Sequence, residues 1–140
     1  MISENKLKHM RAVAEKCEAL AKEKGLSIAE QNACFVMGLL HDIGYAHCDE
    51  TTNHPEQSYI MLVGAIQNSH NILPAIRYHG RKYENLTVFD EILNLADLTT
   101  NYDGNDVTIE ERLQSIAEHH GKESEHYQHA IEQAAALKKE

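Results

Sequence analysis

The chain has 140 residues, with 22 acidic against 13 basic side chains and a formal net charge of −9. That length suits one domain with a core of its own, so residues 1–140 are expected to fold as a single unit. An apolar share of 42% lies well above the disordered range, and the acidity argues against a nucleic-acid polymer as partner, because Lys and Arg must displace the counterions of a phosphate backbone.

Leu7, Met10, Val13, Ala14, Cys17, Leu20 and Ala21 recur at helical spacing, which predicts an amphipathic helix over roughly residues 4–24. Gly25, after Lys22 and Lys24, is C-terminal stop chemistry. Ser27-Ile28-Ala29-Glu30 is a capping box that opens a more apolar helix running to about Asp42. Its apolar run, Ala33 to Leu40, falls far short of the roughly 20 residues that span a bilayer. No apolar export segment opens the chain, so the expectation is a cytoplasmic protein without membrane contact. A polar loop from Gly44 to Asn53 precedes a helix start at His54-Pro55-Glu56, expected to run to about Asn68. Pro74 opens a short helix ending at Gly80. Thr87-Val88-Phe89-Asp90 starts a fifth, with Phe89, Ile92, Leu93 and Ala96 on one stripe. The acidic turn Asp103-Gly104-Asn105-Asp106 is not a calcium loop, since Thr108 and Gln114 stand where glycine and glutamate are required. Thr108-Ile109-Glu110-Glu111 is a second capping box, for a helix ending at Gly121, and a last helix covers about Glu123–Lys138. The small-residue run Ala134-Ala135-Ala136 can pack on the same chain or on a second copy, which leaves a homo-oligomer open. No stretch alternates with period two. The expected fold is all-α, a compact bundle of six or seven helices. Cys17, Cys34 and Cys48 match no zinc spacing and read as reduced thiols, Cys17 and Cys34 in the core.

Ten histidines are the chemical signal. His119, His120, His126 and His129, in the charged C-terminal segment, read as solvated helix surface. His9 lies one turn before Val13, within reach of the apolar stripe. His41-Asp42 closes an apolar helix, where two adjacent ionisable groups are costly unless paired or metal-bound. Asp97 sits one turn after Leu93, on a face that should be packed. Each alone could be a satisfied core hydrogen bond. Together they are the imidazole and carboxylate donors that a divalent ion takes.

In that order and helical context, His9, His41-Asp42 and Asp97 resemble the H…HD…D signature of the HD-domain metal-dependent phosphohydrolases. The resemblance covers residues 7–102 and leaves 103–140 unassigned. Branches of this family hold two metals through two further histidines, which His54 and His79 resemble. The resemblance thus implies six ligands, His9, His41, Asp42, His54, His79 and Asp97, with Asp42 bridging two ions. Asp42 and His79 are the implied catalytic residues, and the cofactor would be one or two divalent ions, of iron, manganese, zinc, cobalt, nickel or magnesium. Arg77, Arg81 and Lys82 are candidates for phosphate contact, because a guanidinium binds phosphate bidentately. Arg11 follows His9 by two residues, where many relatives carry an arginine three residues on. The implied activity is hydrolysis of a phosphate ester, of a small nucleotide or other phosphorylated metabolite, by a metal-activated water. The alternatives are a regulatory domain that binds metal or nucleotide without turnover, and an iron-dependent oxygenase of the same family.

Overall fold

The computed structural model describes residues 2–46, 54–63, 72–81 and 84–138. Among these, the fold is all-α: α1 (Glu4–Glu23), α2 (Ile28–Leu40), a 3-10 turn (Ile43–Ala46), α3 (His54–Leu62), α4 (Ile72–Arg77), α5 (Val88–Leu98), α6 (Ile109–His120) and α7 (Glu125–Lys138). The extended pairing is a single bridge between Thr100 and Asp106, which closes the turn after α5.

The caps explain the boundaries. Ser27, Thr87 and Thr108 each accept from the backbone three residues on, while the acidic side chain there returns the bond. Gly25 follows α1 with φ +75, a conformation open to glycine at little cost. One expected boundary shifts. The α4 helix starts at Ile72, two residues before Pro74, because the first turn has no use for the missing proline N–H. The α3 helix is described only to Leu62, and the expected continuation to Asn68 lies largely outside the described residues. The stretch from Gly44, expected as a loop, begins within a 3-10 turn, Ile43–Ala46.

Helices α1 and α2 clasp most tightly. A methyl group built on Gly38 would stand 2.7 Å from the Ala14 Cα, so only glycine admits this approach. The main core gathers Val13, Cys17, Cys34, Met37, Ile76, Ile92 and Leu93 between α1, α2, α4 and α5. A second cluster, Leu98, Ile116, Ala130 and Ala134, seats α6 and α7 against the end of α5. Cys17 and Cys34 are free and buried as expected. Burial pushes the Cys34 thiol up to about 11. Cys48 lies outside the described residues. No helix among them is long and apolar enough to cross a membrane.

Candidate metal centre

Four histidines from four elements converge on Asp42. His9 is on α1, His41 caps α2, His54 opens α3 and His79 follows α4. Three of them are anchored in the same way. Nδ1–H donates to a backbone carbonyl: His9 to Asn101 at 2.8 Å, His41 to Gly38 at 2.6 Å and His79 to Ile76 at 2.6 Å. A carbonyl only accepts, so Nδ1 carries a proton and Nε2 is turned inward. His54 is held by its ring, stacked on Tyr45 at 4.3 Å.

Asp42 stands between two groups. Its Oδ2 lies 3.6 Å from His9 Nε2 and 3.2 Å from His41 Nε2. Its Oδ1 lies 3.1 Å from His54 Nε2 and 3.3 Å from His79 Nε2. Asp97, from α5, completes the first group at 2.9 Å from His9 and 3.4 Å from His41. The donor atoms of His9, His41, Asp42 and Asp97 all lie within 4.8 Å of one another, as do those of Asp42, His54 and His79. All six expected ligands are therefore brought together, in two groups that share Asp42.

The donor set fits a divalent ion. Imidazole nitrogens and carboxylate oxygens suit hard to borderline metals. His41 Nε2 and Asp42 Oδ1 are buried without a hydrogen bond of adequate alignment, despite their close neighbours. Such orphaned atoms are rare unless something else satisfies them. The electrostatics agree. Burial alone would lower the pKa of His41, but Asp42 and Asp97 override it and push it up to about 10. Burial would raise both carboxylates, but His41 beside them holds Asp42 and Asp97 well below the usual carboxylate range. Burial pushes His54 down to about 4, against the pull of Asp42. Without a metal, a proton on His41 does part of the work of a cation between the two carboxylates.

The cluster opens on a cavity of about 370 Å³, bounded by Asp42, His54, His79 and Asp97 on one side. Of the expected phosphate contacts, Arg81 lines it. Arg77 does not. It is held by Glu56 in a two-pronged pair, at 2.8 and 3.1 Å, and rests on the rings of Tyr59 and Tyr78. Lys82 lies outside the described residues. Arg11 faces away, in an exposed pair with Glu15.

Sequence reasoning missed much of the cavity wall. Lys6 stands 3.3 Å from Asp42 and over the Tyr45 ring, one turn before His9 on the same face of α1. Of the four C-terminal histidines read as solvated surface, that reading holds for His119. His120, His126 and His129 are partly buried and line the cavity, and the rings of His120 and His126 stack at 4.1 Å. Helical spacing carried a signal here. Arg112, Ile116 and His120 recur every fourth residue, and His126, His129, Ala130 and Gln133 share one stripe of α7.

Comparison with known proteins agrees with this picture. The family model described as HD domain matches residues 7–102, more than half of the chain. Over 46 residues the chain is 48% identical to the 3'3'-cGAMP-specific phosphodiesterase 1 of Vibrio cholerae serotype O1. That match covers 33% of this chain and only 11% of the relative. No solved structure gives a significant match.

Proposed function

The chain belongs to the HD-domain family, a superfamily of metal-dependent phosphohydrolases, and from that premise we propose that it hydrolyses the phosphate ester of a small nucleotide or other phosphorylated metabolite at the Asp42 cluster. The observation that carries this reading is the set of three imidazoles anchored through Nδ1, whose Nε2 atoms converge with two carboxylates at one cavity. One or two divalent ions, held by His9, His41, Asp42 and Asp97 and by Asp42, His54 and His79, would supply Lewis acidity toward phosphoryl oxygens and lower the pKa of a water. The protein groups do the orienting. Asp42 serves both donor groups through its two oxygens. The carbonyl anchors fix the imidazole planes. Lys6 and Arg81, at the cavity wall, offer positive charge to a phosphate. A volume of about 370 Å³ is at the low end of ligand pockets, roughly 300–1,000 Å³, which favours a small metabolite over a polymer.

Elemental analysis after offering manganese or iron and removing the excess tests the reading, followed by phosphate release from a panel of nucleotides and sugar phosphates. The name of the Vibrio relative puts a cyclic dinucleotide in that panel. A ratio near two with phosphate release supports a binuclear hydrolase. A ratio near one with release moves His54 and His79 to substrate contact. Metal bound with no release from any member overturns the hydrolase reading in favour of a regulatory binding domain. Oxygen uptake with reduced iron, in place of release, favours the oxygenase chemistry.

A further inference from the structure

Two buried side chains on the C-terminal helices carry donor atoms that make no hydrogen bond among the described residues. Arg112, on α6, is 7% exposed, and Gln133, on α7, is 4% exposed. Arg112 Nε and Nη1 and Gln133 Nε2 make no hydrogen bond among the described residues. Both side chains line the cavity of the metal centre. The guanidinium lies over the Tyr102 ring at 4.4 Å. Its nearest carboxylate oxygen, Asp97 Oδ1, is 4.0 Å away, beyond hydrogen-bond range. That same oxygen is already 2.9 Å from His9.

A buried arginine kept only for structure would be expected to spend its N–H groups on fixed acceptors, since each one unmet carries a desolvation cost. Here two guanidinium nitrogens and one amide are unmet beside a single cavity. A metal ion on Asp97 would claim the one nearby carboxylate and add positive charge, leaving the guanidinium poised for an anion.

We propose that Arg112 and Gln133 form an oxyanion-binding arm of this site. The Arg112 guanidinium donates to phosphoryl oxygens of the substrate, and the Gln133 amide donates to a further acceptor on the same molecule. This deepens, and rests on, the phosphate-ester reading. It assigns substrate recognition to residues beyond the family match at 7–102. Arginine suits the task because its permanently charged, planar group carries donors on more than one edge, so that Nε and Nη1 can serve different oxygens.

Calorimetric titration of the manganese-loaded, washed protein with inorganic phosphate tests this, on the parent and on R112M, R112K and Q133M. The expected result is about tenfold to a hundredfold weaker phosphate binding in R112M, the scale of one lost charge-assisted bond. R112K should fall between, because it keeps the charge without the planar donors, and Q133M should also bind more weakly. Metal per chain and melting temperature should stay at parent values. Parent-like phosphate affinity in R112M and Q133M overturns the proposal. Loss of metal in R112M with phosphate affinity per loaded site intact overturns it too, since Arg112 would then only position Asp97. If R112M does not fold, R112K and Q133M decide by the same rule. Parent-like binding in the variants, with the parent still releasing phosphate from esters, removes this proposal alone. A parent that neither binds phosphate nor releases it removes the hydrolase reading as well.

Discussion

Asp42 concentrates the chemistry at the residue scale, because its two oxygens face different groups of imidazoles. Asp42→Ala should lower bound metal and take activity below detection while the helices persist, read by elemental analysis, turnover and circular dichroism. Full turnover in that variant would remove Asp42 from the centre. His54→Ala or His79→Ala should cost about one metal equivalent and leave the other, since His9, His41 and Asp97 remain grouped with Asp42; unchanged stoichiometry would point to one ion only. His41 sets the pH dependence. Its pKa is raised to about 10 in the metal-free protein, so at neutral pH its Nε2 carries a proton that an incoming ion must displace. His54, lowered to about 4, is already neutral there. Metal affinity should therefore rise with pH through the neutral range by about tenfold per unit, levelling near the His41 pKa. Calorimetry in buffers of different ionisation enthalpy should count about one proton released per chain at pH 7. Affinity independent of pH would show that His41 is not a ligand.

The α1–α2 clasp sets the distance between His9 and His41 at the scale of elements. Gly38 is its closest point, and a methyl group there would meet the Ala14 Cα at 2.7 Å and the Val13 carbonyl oxygen at 2.9 Å. Both are backbone atoms and cannot rotate aside. Gly38→Ala should cost about 1–3 kcal/mol, the usual scale of overpacking. A lower urea midpoint at unchanged slope would register it. Spreading the two helices would also weaken metal binding, because His9 and His41 leave 4.8 Å range. A variant as stable as the parent would mean that the clasp yields without strain.

Charge ties the site to stability in the molecule as a whole. Two carboxylates, Asp42 buried and Asp97 partly exposed, meet in a chain of net charge −9, and a divalent ion binding only the folded state stabilises it by mass action, about 2.7 kcal/mol at a hundredfold excess over Kd. Melting scans should show a rise in Tm with manganese that EDTA reverses and that Asp42→Ala abolishes; an equal rise in that variant would place the ion elsewhere. The all-α architecture, two of the three capping boxes and four of the clustered residues, His9, His41, Asp42 and Asp97, were legible in the sequence, because caps and helical stripes are local and because ionisable groups on apolar faces need a reason to be there; His54 and His79 were reached only through the family resemblance. The fate of the cations was not legible. Arg77 and Arg112 look alike in sequence, yet one is held by Glu56 outside the cavity and the other lies inside it without a full set of partners. His120, His126 and His129 look solvated until α6 and α7 fold back on the end of α5. Which side chain meets which across the fold depends on contacts between residues far apart in the chain, and only the packed helices decide them.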